Sequence, residues 1–288
     1  MDIGIGLPNP VPGTPGRLLV DWAQRAEERG FSSLATIDRI VYPSYESLLV
    51  LAAAAAVTER ITLMTNILIA PTRNTVLLAK EAASVDQLSG GRLVLGLGVG
   101  GRENDFVATG QSFHERGRHF DQQLELMQRA WRGDPISDGD KSIGPRPSNG
   151  TNVPILIGGY NLEAAIPRIL QYGTGFTIGG AGADHIPPLA GAVREAWSDA
   201  GKPGSPKIVA LAYYALGGRE EAGRNYLLDY YAIAGDLKEM IAGAMISGPD
   251  AVLGALKAFA DVGVDELVMV PTVAELDQVD LLADVALR

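Results

Sequence analysis

An aspartate and an arginine stand side by side at Asp38-Arg39, and further arginines follow at Arg73 and Arg102. A carboxylate in a cleft can take up a proton or hold an ion pair. A guanidinium stays protonated, so it stabilises an anion but is a poor proton shuttle. Two glycine-rich runs offer a second kind of chemistry. Gly98, Gly100 and Gly101 follow a fully apolar run, and Gly158-Gly159-Tyr160-Asn161 precedes a helix-like segment beginning near Leu162. Backbone N–H groups left bare by glycine, joined to a helix N-terminus, can hold a phosphate or receive a flat ring. Each feature also has a plain structural reading. Glycines close turns, and Asp38 and Arg39 can pair with each other or with a neighbour.

Several other chemistries are set aside by composition. The 288 residues include no cysteine, which excludes disulfides, thiolate metal sites and a cysteine nucleophile. The three histidines, His114, His119 and His185, have no metal-ligand spacing, and His114 and His119 are five apart, so on a helix they face different ways. No metal is expected. Lys80 and Lys207 are poorly placed for a Schiff-base lysine at a strand end, which ranks a phosphate-binding lyase or isomerase last. A formal charge of −10 argues against nucleic acid and anionic membranes, both of which call for a basic surface. The N-terminus has no signal-peptide pattern, and no apolar run approaches membrane-spanning length, so a soluble cytoplasmic protein is expected.

Eight strand-like runs must position these residues, at 2–7, 33–36, 61–67, 93–97, 153–157, 174–178, 208–214 and 266–270. Helical patterns separate them, with apolar residues at three- and four-residue spacing, as in Leu18, Leu19, Trp22 and Ala26. Eight such alternations predict an α/β fold, a single (β/α)8 TIM barrel spanning residues 1–288, with an insertion after strand 4 and extra helices after strand 7. The insertion, 102–152, is expected to carry a helix near 116–131 and then a loop or lid. The aromatics and methionines of 217–247 (Tyr226, Tyr230, Tyr231, Met240, Met245) favour packing or a dimer surface over ligand contact.

In such a barrel the site is assembled from strand ends and the loops that follow them. That rule selects Asn9 after strand one; Asp38, Arg39 and Tyr42 after two; Asn66, Ile67 and Arg73 after three; Val99, Gly100 and Arg102 after four; Gly158, Gly159 and Tyr160 after five; and Gly179 and Gly180 after six. Arg39, Arg73, Arg102, Lys141 and Arg146 together allow a local positive rim on an acidic protein.

The run SGGRLVLGLGVG at 89–100, with AKEAASVDQL before it and NDFVATG at 104–110, resembles the bacterial luciferase-like flavin and deazaflavin oxidoreductases. IGIGLP at 3–8, the turn around Asp38, NILIAPTRN at 66–74, PILIGG at 154–159 and GVDELVMV at 263–270 extend the resemblance over nearly the whole chain. It implies an oxidoreductase that holds a reduced flavin or deazaflavin at the C-terminal mouth of the barrel and moves a hydride to or from a small organic substrate. The cofactor would contact Asn66, Ile67, Val99, Gly100, Gly158, Gly159, Gly179 and Gly180, with its phosphate at Gly158-Gly159 and a non-prolyl cis bond at Asn66–Ile67. Asn9, Tyr42, Arg73, Arg102 and Tyr160 would border the substrate. Many relatives carry Asp-His where this chain has Asp38-Arg39, and an acidic residue where it has Gly101. Asp38 and Arg39 remain the catalytic candidates, with Arg39 holding developing negative charge. Compact length and the Asn104-Asp105-Phe106 run point to coenzyme F420, with an FMN-dependent monooxygenase and a non-catalytic flavin-binding protein as alternatives. Family members commonly form homodimers.

Overall fold

Strand residues in this chain alternate between two environments, and the alternation closes into a ring. A computed structural model describes residues 1–137, 141–180 and 182–287. Its strands are β1 (Asp2–Gly6), β2 (Ser33–Thr36), β3 (Thr62–Ile69), β4 (Leu93–Gly98), β5 (Ile155–Gly158), β6 (Gly175–Gly179), β7 (Lys207–Ala215), β8 (Ile246–Ser247) and β9 (Glu266–Pro271). All pairings are parallel. Neighbours run from β6 through β1 to β9, β9 joins β7, and β7 pairs with β6 to close an eight-stranded barrel. The two-residue β8, not anticipated from sequence, pairs only with the end of β7. The other eight strands match the expected runs, with β3 reaching two residues further and β5 beginning two residues later.

In β9, Leu267 and Met269 join the large outer core between sheet and helices, while Val268 and Val270 point inward with Val209, Leu211 and Tyr213 of β7. This period-two division follows from the pleat. The interior is tight enough at one point to demand glycine: a Cβ on Gly96 would lie 2.1 Å from the carbonyl oxygen of Thr65.

The helices are α1 (Gly16–Arg29), α2 (Ser47–Ala55), α3 (Thr75–Leu88), α4 (Glu103–Thr109), α5 (Arg116–Arg132), α6 (Leu162–Tyr172), α7 (Ile186–Asp199), α8 (Glu220–Tyr230), α9 (Leu237–Gly243), α10 (Pro249–Asp261) and α11 (Asp277–Ala286). Amphipathic α1 and α5 bury Trp22 and Trp131, and the Trp131 indole donates to the carbonyl of Ala79 at 2.9 Å. Asn74 caps α3 by accepting from the amides of Val76 and Leu77. Among the described residues no helix is long and apolar enough to cross a membrane.

The two additions to the minimal barrel take different places. After β4 the chain forms α4 and α5, and residues 141–152 are then fastened to α3. Lys80 Nζ donates to the Gly144 carbonyl at 2.7 Å, Gln87 Nε2 to that of Arg146 at 2.8 Å, and the Ser148 amide to Asp86 Oδ2 at 2.7 Å. Of the expected loop or lid, this stretch is a loop that clamps the outside of a barrel helix; residues 138–140 lie outside the described residues. After β7, α8 and α9 form the expected extra helical pair. Tyr226, Leu227, Tyr230 and Ala242 join the inner cluster, leaving α10 to cover the sheet before β9.

Candidate active site

A cavity of about 740 Å³ opens where the strands of the barrel end. One side is built by β3. Thr65 pairs with Leu95 and Leu68 with Leu97, so β3 carries one extra residue across this interval, and the Asn66–Ile67 peptide bond within it is cis, as the resemblance implied. Ile67 is wedged against the neighbouring strands: a Cβ on Gly98 or Gly158 would come within 2.3 or 2.7 Å of its side chain. Both glycines thus make room for Ile67 itself, whatever the ligand. Asn66 accepts from Thr177 Oγ1 at 2.7 Å, while its buried Nδ2 has no hydrogen-bond partner among the described residues. An unpaired buried donor on a cavity wall is costly unless a ligand or water meets it.

The next wall is bare backbone. At Gly159 and Gly180 an added Cβ would have no neighbour within 4 Å, and at Gly179 only Leu211 Cβ at 3.9 Å. All three border the cavity. Behind Gly159 begins α6, whose N-cap Asn161 accepts from the Ala164 amide at 3.3 Å. Tyr160 bridges the two glycine loops by donating its hydroxyl proton to the Gly179 carbonyl. This arrangement can hold an anionic group by amides and the N-terminal end of a helix.

A third wall was undervalued from sequence. Tyr213 of β7, Tyr230 and Tyr231 at the end of α8, and Leu237, Met240 and Ile241 of α9 all line the cavity. The Tyr213 and Tyr231 hydroxyl oxygens lie 2.6 Å apart. Burial pushes both hydroxyls above the usual phenol pKa; for Tyr231 the hydrogen bond with Tyr213 and the charge of Arg102 draw it part of the way back. Both phenols therefore keep their protons near neutrality. The Arg102 guanidinium sits 4.9 and 5.6 Å from the ring centres of Tyr230 and Tyr231 and has no carboxylate partner among the described residues. His185, also unforeseen, borders the same cavity. Only helical aromatic spacing marked α8 in the sequence, and that pattern is shared by ordinary core helices.

Asp38 and Arg39 are adjacent in the chain yet go separate ways. Asp38 borders the cavity but accepts from Arg73 Nη2 and the Ile69 amide, each at 2.9 Å. Arg73 also donates to Glu46 at 2.7 Å; burial works against its charge, and the two carboxylates overcome that and raise its pKa. Arg39 turns away, donating to the Tyr230 carbonyl at 2.6 Å with its guanidinium 4.4 Å from the Tyr42 ring centre. The Tyr42 hydroxyl donates to Asp229, and the Asn9 side chain clasps the backbone of Ile37 from both sides.

Of the sequence candidates, Asp38, Asn66, Ile67, Val99, Gly100, Arg102, Gly158, Gly159, Tyr160, Gly179 and Gly180 line the cavity together. Asn9, Arg39, Tyr42 and Arg73 do not; they brace its supporting loops. The expected positive rim reduces to Arg102, because Arg39 is buried against tyrosines, Arg73 is ion-paired, and Lys141 and Arg146 travel with the stretch held on α3. No metal-binding cluster of histidine, cysteine, aspartate and glutamate occurs among the described residues.

A closed parallel barrel with its cavity at the strand ends, a bulged third strand and paired glycine loops defines a class, and the sequence match agrees. The chain belongs to the luciferase-like monooxygenase family, whose model matches residues 1–279. An uncharacterized protein of Mycobacterium tuberculosis is 28% identical over 225 residues, covering 68% of this chain and 77% of that protein. An F420-dependent glucose-6-phosphate dehydrogenase of Kribbella flavida is 29% identical over 225 residues, covering 70% and 65%. Among solved structures, a monooxygenase from Streptomyces bottropensis superposes with a TM-score of 0.80 at 21% identity, covering 100% of this chain and 99% of its own. An F420-dependent secondary alcohol dehydrogenase gives 0.79 at 19% identity, covering 99% and 97%. At these identities the likeness establishes the shared barrel.

Proposed function

We propose that the protein is an oxidoreductase that binds reduced coenzyme F420 at the mouth of the barrel and transfers a hydride to or from a small organic substrate. The carrying observation is the buried, unpartnered Nδ2 of Asn66 on the bulged end of β3, in the same cavity as the open backbone of Gly159, Gly179 and Gly180. The residues fit the group: Asn66 offers a donor to a ring edge, and the glycine loops with the α6 N-terminus offer amides to a phosphate. When bound, the cofactor supplies the two-electron chemistry, while the chain positions the reactants and excludes water. The F420-dependent curated relatives support this choice of cofactor. An FMN-dependent monooxygenase is the second reading, supported by a fold neighbour solved with FMN, with a TM-score of 0.69 at 18% identity.

Titrating the purified protein with F420 and with FMN, followed by fluorescence, separates the two. Binding of neither overturns both, and binding without turnover favours a non-catalytic carrier. Gly179→Leu should weaken F420 binding at least ~10-fold, the loss of about 1.4 kcal/mol, with an unchanged circular dichroism spectrum. Unchanged affinity would remove the glycine loops from the cofactor site. We place the protein in the cytoplasm and read it as a homodimer, the second assignment supported by Leu49 on α2 and Leu77 on α3, which are 72% and 56% exposed. The double variant Leu49→Glu/Leu77→Glu should elute as a monomer where the wild type elutes as a dimer. Identical elution would reject this face as the interface.

A further inference from the structure

We propose that the Tyr213–Tyr231 hydroxyl pair receives the substrate's oxygen, with Tyr231 as its proton donor, and that the substrate is an uncharged carbonyl compound with an apolar body, or the corresponding alcohol. The proposal rests on the oxidoreductase reading above.

Counting protons at the pair gives the direction. Two phenol oxygens 2.6 Å apart share one proton between them, and the second proton must point elsewhere. Tyr213 is 4% exposed on an inward-facing strand position, whereas Tyr231 stands partly open at the end of α8. Tyr213 therefore donates to Tyr231, and Tyr231 presents its own proton to the cavity. Arg102, stacked near the Tyr231 ring without a carboxylate partner among the described residues, favours the phenolate left when that proton departs. Asp38, which borders the cavity from the β2 loop, is engaged by Arg73 and the Ile69 amide.

The surroundings describe the rest of the substrate. Leu237, Met240 and Ile241 of α9 and the tyrosine rings supply apolar surface beside the hydroxyl pair. A side cavity of about 200 Å³ shares Leu211, Tyr213 and Ile241 with the main one and continues to Ile246 and Phe259. It offers room for a hydrocarbon extension, and among the described residues that line it Tyr213 alone has a side chain with a polar group.

In the reductive direction a hydride from the reduced deazaflavin-class cofactor forms a C–H bond at the carbonyl carbon, and the C=O π pair moves onto oxygen. That oxygen takes the Tyr231 proton, and the phenolate recovers a proton from Tyr213 or solvent. Carbonyl, hydride and proton become alcohol, and the cofactor leaves oxidised by two electrons. Alcohol oxidation is the same sequence reversed.

The test uses the full chain loaded with oxidised F420 and the probe 4-(dimethylamino)cinnamaldehyde, a neutral carbonyl chromophore whose absorption moves to longer wavelength when its oxygen accepts a hydrogen bond. The wild type should show the shift. Tyr231→Phe should abolish it while binding F420 within about twofold of wild type, and should lower reduction of neutral ketones and enones by F420H2 about 100-fold. Tyr213→Phe, which keeps the donor but frees it to rotate, should retain the shift and lose about tenfold in turnover. Shift and turnover within twofold of wild type in Tyr231→Phe, no shift in the wild type, or preference for carboxylate-bearing analogues over neutral ones would each overturn the proposal. A Tyr231-dependent shift in a protein that binds no F420 would uphold the oxygen site and overturn the cofactor assignment instead.

Discussion

Asp38→Ala is expected to lower the free energy of unfolding by about 3–5 kcal/mol, the cost typical of breaking a buried ion pair from one side. The Asp38 side chain is 2% exposed and holds both Arg73 and the Ile69 amide. Its removal leaves the Arg73 guanidinium, itself 14% exposed, with only the half-buried Glu46. The loss exceeds that of a surface pair because neither partner can regain water without moving the loops after β2 and β3. Asp38→Asn keeps an acceptor and should cost less, about 2 kcal/mol, in line with a charged hydrogen bond becoming neutral. Urea unfolding checks both values. A catalytic Asp38 makes the opposite forecast: Asp38→Asn as stable as wild type and inactive. Full stability in both variants would show that the pair does not brace the site.

Glu266→Gln should cost about 2–3 kcal/mol at pH 7, on the scale of hydrogen bonds to charged groups plus a partly buried pair, and this difference should shrink only as pH falls below the ordinary glutamate range and through the depressed folded pKa. Glu266 lies at the opposite end of the barrel from the cavity, 1% exposed, with Lys207 Nζ at 2.6 Å and the Ser32 hydroxyl donating at 2.7 Å. Burial works to raise its pKa, but the hydrogen bond and attraction from Lys207 and the hydroxyl contact outweigh it, so the group titrates below an ordinary glutamate. The sign follows from linkage. A carboxyl whose folded pKa is depressed stabilises fully above its unfolded pKa, and that stability is lost as pH falls through the folded value. Wild type and variant should therefore converge in acid. A constant gap from pH 7 to pH 3 would mean that shape and packing, and not charge, set the role of Glu266.

Much of the candidate site was legible because it is made of backbone. Gly159, Gly179 and Gly180 follow strands whose apolar runs are unmistakable, and their place in the chain sets their place at the mouth. Side-chain direction was less legible. Arg39 reads in sequence as a charge at a strand end, yet an aromatic box formed with a helix 191 positions away holds its guanidinium at the Tyr230 carbonyl. Gly158 reads as a phosphate glycine, while its closest constraint is the Ile67 side chain on another strand.

The sequence by itself determined the ring of eight strands and the end of it that carries the site. Period-two and 3.6-residue apolar patterns act over a few residues, and a strand's inside and outside follow from the pleat alone. Tertiary structure alone decided which polar groups face the cavity. The Asp38–Arg73 pair, the Tyr213–Tyr231 contact and the fastening of 141–152 onto α3 each join residues of separate elements brought together by packing. Their partners are selected by desolvation and hydrogen-bond geometry in three dimensions, and no local pattern in the chain encodes either.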